Sequence, residues 1–250
     1  MGQGGVWKES YRVRAYETDP TGRASIVSLC NYLQEAAANH ARELGVSVEH
    51  LQRQNSTWVL SRLRVRVDRY PAWRDEIDVE TWPSGTERLF ATRDFIVKNA
   101  DGDVLVRAVS WWLMIDIESR RPLRLPEFIS SLTLSNRERA LNGSRSNIPE
   151  PRADANAREL RVQYADLDVN GHANNVRYVE WALEGVPKDV LNTMHVMELD
   201  VLFKAETVHG DPVTVAVDSV DSKNAIFVHA IRSSLDGRYL AGLSTTWRKS

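Results

Sequence analysis

The sequence predicts an α+β protein in which one plan is used twice. Three observations carry this. A long apolar stripe at spacings of three and four gives way to strand-like alternation, the same succession returns in the second half, and a polar stretch from about Ser130 to Arg158 separates the two. Helices that precede a run of strands, rather than alternate with them, exclude a doubly wound α/β sheet.

The elements follow in order. Tyr11-Arg-Val-Arg-Ala-Tyr-Glu-Thr-Asp-Pro-Thr-Gly-Arg-Ala-Ser-Ile-Val27 lies over Glu159-Leu-Arg-Val-Gln-Tyr-Ala-Asp-Leu-Asp-Val-Asn-Gly-His-Ala-Asn-Asn-Val176, so that Asp19, Gly22 and Ala24 fall on Asp168, Gly171 and Ala173. Each copy reads as a short strand, a polar turn and a helix. In the first, Ile26, Leu29, Cys30, Leu33, Ala37, His40 and Leu44 form the stripe, and Gly45 follows as a cap. In the second, Val176, Val179, Leu183 and Val186 repeat it before Pro187 stops the helix. The period then becomes two. Leu63, Val65 and Val67 alternate with Arg62, Arg64 and Arg66, and Leu199, Val201 and Phe203 repeat the pattern. Turn signals at Asn99-Ala-Asp-Gly102 and Leu235-Asp-Gly237, each followed by a tryptophan-bearing strand around Trp112 or Trp247, are offset by 135 residues. The halves are placed at 1–130 and 159–250, with 131–158 as a linker holding a short helix. Wrapping each curved sheet around its own helix, and pairing the halves as an internal pseudo-dimer, gives the double hotdog.

Composition narrows function. The 250 residues are 42% apolar and 26% charged, with 32 basic residues against 34 acidic ones and a net charge of -2. So even a balance argues against a nucleic-acid binder. No apolar run approaches the ~20 residues that span a bilayer, and the opening Met-Gly-Gln-Gly-Gly-Val lacks the regions of a signal peptide. Val6 stands where a myristoylation motif needs Ser or Thr. The one cysteine, Cys30, excludes an internal disulfide and a Cys-based zinc cluster. The cytoplasm is the expected compartment.

Asp166-Leu-Asp-Val-Asn-Gly-His-Ala-Asn-Asn175 is the densest group of reactive side chains, set between a strand and a helix start. Asp166, Asp168, Asn170 and Gly171 match the first, third, fifth and sixth positions of a calcium loop, but Arg177 occupies the twelfth, where a bidentate Glu is needed. A hydrolytic site fits better. Asn170 supplies a neutral donor, His172 exchanges a proton near neutral pH, and helix-terminal amides would polarise a carbonyl. Asp168 taken alone reads more readily as a cap for the turn than as a chemical group. The first copy keeps Asp19 and Gly22 but has Thr21 and Arg23 in place of Asn170 and His172. One chemical site per chain is expected, built by the second half, with the first half walling the pocket.

The Asp166-Leu-Asp-Val-Asn-Gly-His-Ala-Asn-Asn-Val-Arg-Tyr178 segment resembles the Asp-Leu-Asp-Val-Asn-x-His-x-Asn-Asn-x-x-Tyr signature of the acyl-acyl carrier protein thioesterases. Leu33-Gln-Glu-Ala-Ala-Ala-Asn-His40, Thr57-Trp-Val59 and Val67-Asp-Arg-Tyr-Pro-Ala-Trp73 also resemble segments of that family, so the likeness covers nearly the whole chain. It implies a cofactor-free, metal-free thioester hydrolase that releases fatty acid from the carrier and ends fatty-acid synthesis, with Asp168, Asn170 and His172 as catalytic residues and Glu206 as the completing acid. Plant members usually carry Cys after this Glu, whereas this chain has Thr207, so no thiol is expected in catalysis. Either carboxylate could activate water, and attack through an anhydride is also open. The carrier of this pathway is acidic. Arg62, Arg64 and Arg66, or Arg120, Arg121 and Arg124, are candidate docking groups on an otherwise balanced surface. An acyl-CoA thioesterase and a silent acyl-binding protein are the competing readings, and homodimerisation is left open.

Overall fold

The alternating segments of the first half become five antiparallel strands, β1 (Trp7–Arg12), β2 (Ser56–Val67), β3 (Glu76–Glu87), β4 (Phe90–Asn99) and β5 (Val104–Asp116), ordered β1-β3-β4-β5-β2. Those of the second become β6 (Asn156–Arg161), β7 (Met194–Phe203), β8 (Pro212–Asp221), β9 (Ile226–Ser233) and β10 (Tyr239–Lys249), ordered β6-β8-β9-β10-β7. The two orders are the same topology. This computed structural model describes residues 5–134, 136–141, 145–152 and 155–249. The chain divides into two compact units, Met1–Gly143 and Ser144–Ser250. Positions 1–4 at the opening and 135, 142–144 and 153–154 in the linker lie outside the described residues.

Helix α1 (Ile26–Glu43) lies against β1 and β3. Its stripe of Leu29, Cys30, Leu33, Ala36, Ala37 and His40 is buried, as the spacing predicts. Covering Leu29 and Leu33 is worth about 1.5–3 kcal/mol each. Ser25 caps the start by accepting the Ser28 N–H at 3.0 Å, and Gly45 leaves the end with φ of +72°, a conformation that favours glycine. Burial pushes the Cys30 thiol up to about 12, so it is an inert core group. Short helices α2 (Val48–Gln52) and α3 (Glu127–Ser131) complete the first unit.

Helix α4 (Asn175–Leu183) covers β8, β9 and β10. It ends earlier than the stripe suggests. Glu184 caps it, Val186 packs beyond its end, and Pro187 opens a separate helix, α5 (Lys188–Thr193).

One expectation is corrected in β2. A bulge between Leu60 and Arg62 breaks the period of two, so Arg62 and Leu63 are buried in succession. At 3% exposure Arg62 is no surface docking group; Arg64 is half-buried, and Arg66 is exposed and pairs with Asp68 at 3.2 Å.

Candidate active site

The site grows from a turn that both units make. A 3-10 turn, Ala15–Glu17 in the first unit and Tyr164–Asp166 in the second, leads into a loop closed by Gly22 or Gly171, each at φ of +76°. Adding a side chain there would strain the backbone. Asp19 Oδ1 accepts the N–H of Thr21 at 2.8 Å and of Arg23 at 3.3 Å. Asp168 Oδ1 accepts the N–H of Asn170 at 2.8 Å and of His172 at 3.4 Å. The two aspartates therefore do the same work in folding the loop, although only the second loop carries Asn and His.

The loop is pinned to what surrounds it. The Asp168 N–H donates to His172 O at 2.8 Å, the Ala173 N–H to Thr207 O at 2.9 Å, and the Asn174 N–H to Asp166 O at 2.8 Å. Asn174 caps α4 by accepting the Val176 N–H at 3.2 Å. Arg177 ties the helix back to the turn, reaching Glu180 at 2.5 Å and the carbonyl of Ala165 at 3.2 Å. These bonds correct one expectation. The amides of Asn170, Gly171, His172, Ala173, Asn174 and Val176 all have acceptors within the fold, so they are not a free row of donors at the helix start.

What the fold leaves to a ligand is side chains. His172 Nε2 stands 3.3 Å from Glu206 Oε1, with about a third of each side chain exposed (32% and 39%). Exposed Asn170 lies two residues before His172, its Nδ2 held loosely at 3.5 Å from Asp168 Oδ2. Glu206 belongs to the connection after β7 rather than to a strand. Its neighbour Thr207 is buried and donates to Asp211 at 2.8 Å, and Asp211 also accepts the Val208 N–H at 3.0 Å. Those bonds hold the Asp211 carboxyl below its usual range and fix the connection that presents Glu206. Thr207 thus has a structural use. Behind the loop, the Tyr178 hydroxyl donates to Ala205 O at 3.4 Å, and burial raises its pKa.

The structure brings Asp168, Asn170, His172 and Glu206 together in the second unit. Arg120, Arg121 and Arg124 are exposed in the connection after β5. Among the described residues, no group of three or more His, Cys, Asp or Glu could hold a metal ion, and no helix is long and apolar enough to cross a membrane.

The first unit holds a cavity, about 740 Å³ of space when its open mouth is counted. Ala37, Ala38 and Ala41 of α1 leave the space, and Trp58 and Trp112 wall it, while Arg93 is one of its few polar liners. The run of three alanines in α1 and a lone Arg inside a buried strand were the available signals.

The acyl-ACP thioesterase N-terminal domain model matches residues 4–132, and the C-terminal domain model of the same family matches residues 149–249. Oleoyl-acyl carrier protein thioesterase 1 of Arabidopsis thaliana, described as chloroplastic, is 30% identical over 97% of this chain and 76% of its own length. The palmitoyl-acyl carrier protein thioesterase of Gossypium hirsutum is 32% identical over 97% of this chain and 64% of its own. The solved acyl-ACP thioesterase from Bacteroides thetaiotaomicron superposes with a TM-score of 0.87 at 26% identity, covering 97% of this chain and 98% of that one. The 12:0-ACP thioesterase from Umbellularia californica gives 0.87 at 25% identity, covering 98% and 94%. Likeness over both units at this level identifies the architecture as the double hotdog.

Proposed function

The chain belongs to the acyl-ACP thioesterase family, and from that premise we propose that it hydrolyses the thioester of fatty acyl-acyl carrier protein, releasing free fatty acid and ending elongation of that chain. The observation that carries the mechanism is the contact of His172 Nε2 with Glu206 Oε1 at 3.3 Å, in a loop whose Asp168 is engaged as Asp19 is in the other unit. Asp168 is then a positioning residue, and Glu206 is the base.

Glu206 takes a proton from water as the oxygen adds to the thioester carbonyl carbon. Asn170, the neutral donor two residues before His172, steadies the oxyanion in place of the engaged helix amides. Collapse breaks the C–S bond, His172 hands a proton to the departing thiolate, and Glu206 returns its proton to His172 across their contact. The products are the fatty acid and the free thiol of the carrier, and no protein thiol is needed. The apolar cavity of the first unit suits an acyl chain, because aliphatic and tryptophan walls reward removal of methylenes from water by about 0.8 kcal/mol each.

The test is turnover of a chain-length series presented on acyl carrier protein and on coenzyme A. Hydrolysis should be faster on the carrier, and H172A and E206A should each lose it. Near-native rates in both variants would reject the assignment.

A further inference from the structure

The two units build the same backbone junction after β2 and β7 but charge it differently. In the first, the N–H groups of Asp68 and Arg69 donate to Leu105 O at 2.9 and 3.2 Å; in the second, those of Lys204 and Ala205 donate to Leu240 O at 2.8 and 3.2 Å. Asp68, Arg69, Asp103 and Arg107 therefore stand where the second unit has Lys204, Ala205, Arg238 and Gly242. The first set is paired within itself. Arg69 Nη2 meets Asp103 Oδ2 at 3.0 Å, and Asp68 accepts from Arg107. In the second set both acids have become bases and both bases have given way to neutral residues. Lys204 is exposed and has no ion pair among the described residues. The Arg238 side chain is 55% exposed, and its one ion-pair partner among the described residues, Asp236, stands 3.8 Å from Nε, beyond hydrogen-bond length.

Both cations flank the connection that presents Glu206. Lys204 precedes Glu206 by two residues, and Arg238 precedes Leu240, which holds the junction, by two. Burial raises the pKa of the Tyr178 hydroxyl, Glu206 raises it further and Arg238 opposes the rise, so both charges act on the group behind the reactive loop. Asp211, the other acid of the connection, is engaged by the Val208 N–H and the Thr207 hydroxyl. Two exposed cations whose matching acids are absent attract an anion, and a guanidinium fork fits phosphate oxygens in pairs. Hydrolysis needs no cation at this place. An anion joined covalently to the thioester would gain from it, because holding one end of a substrate orients the other.

Resting on the thioesterase reading, we propose that Lys204 and Arg238 form an anion subsite beside Glu206 that holds the phosphate of the pantetheine arm whose thiol bears the acyl group. The flexible arm separates sulfur from phosphate, so the subsite lies on the flank of the connection while the thioester reaches the His172 and Glu206 pair.

Thioethers, which cannot be hydrolysed, separate this binding from catalysis. Calorimetric binding of S-dodecyl pantetheine and S-dodecyl 4′-phosphopantetheine is compared on the wild type, R238K and the double variant K204A/R238A. The wild type should bind the phosphorylated thioether about ten-fold or more tightly, the worth of a hydrogen bond between charged groups, and the margin should narrow with salt. The double variant should lose the preference, and R238K should keep part of it. Equal binding of the two thioethers by the wild type overturns the proposal, as does an unchanged preference in the folded double variant. S-dodecyl acyl carrier protein and S-dodecyl coenzyme A distinguish the two bearers of that phosphate. The carrier form should bind the wild type more tightly and both should weaken in the double variant; weakening of the carrier form alone assigns the cations to carboxylates of the carrier and overturns the phosphate subsite. Hydrolysis of dodecanoyl-acyl carrier protein, measured in parallel on the wild type, tests the thioesterase reading independently, because the thioethers report binding alone.

Discussion

Asp19 and Asp168 accept the same loop amides, so substituting each separates folding from chemistry. D19A should cost about 1–2 kcal/mol in denaturant unfolding and leave the turnover number within two-fold of wild type, by about 0.4 kcal/mol or less. D168A should cost similar stability and also lower turnover, because His172 rides on the loop that Asp168 closes. H172A and E206A should show the reverse pattern, losing about 10²–10⁴-fold in turnover with little change in unfolding midpoint, since both side chains are partly exposed. A large stability loss in H172A with normal turnover of the folded fraction would contradict the assignment. At this scale the differences between the repeats single out Asn170 and His172 as the candidate chemical side chains. Which carboxylate faces His172 was invisible in the sequence, because Glu206 comes from a connection more than thirty residues downstream.

At the scale of elements, α1 and β9 make separate predictions. The cavity face of α1 is built on Ala37, Ala38 and Ala41, and these small side chains leave room beside Trp58. A41L should fill part of the cavity and shift hydrolysis toward shorter acyl chains, read as the chain length with the highest kcat/KM; an unchanged profile would remove the acyl chain from this cavity. In β9, His229 is wholly buried with Nε2 3.1 Å from Thr245 Oγ1, and burial pushes it down to about 4. An unfolded histidine titrates near 6.5, so between about pH 6.5 and pH 4 the unfolded chain binds a proton that the folded chain refuses. Stability contributed by neutral His229 is full above that window and falls as pH drops through it. H229Q, if folded, should show a shallower loss of unfolding midpoint between pH 7 and pH 4.5 than the wild type. Helix α1 was legible from its stripe and caps, whereas the cavity was not. Its existence depends on which alanines meet which strands, and spacing along one chain segment does not encode that.

For the whole molecule, a net charge of -2 leaves recognition of an acidic carrier to a local surface. Exposed Arg120, Arg121 and Arg124 offer one, on a turn where Asp116 Oδ1 accepts the Ser119 N–H at 2.7 Å and Arg120 adopts a left-handed φ of +58°. R121E combined with R124E should raise KM for the carrier-bound substrate several-fold and flatten its salt dependence, with little effect on a small thioester analogue. Equal effects on both substrates would place docking elsewhere. By itself the sequence determined the repeated α+β plan, the glycine-closed turns, the reactive loop and the family signature. All of these are local patterns of period, backbone freedom or residue order. Only the tertiary structure decided that Arg62 is buried, that the helix-start amides already have acceptors, that Glu206 meets His172, and that a lone guanidinium lines an apolar cavity. Each of those depends on a bulge in register or on groups brought from distant segments, and hydrogen-bond partners and burial are settled only when the segments pack.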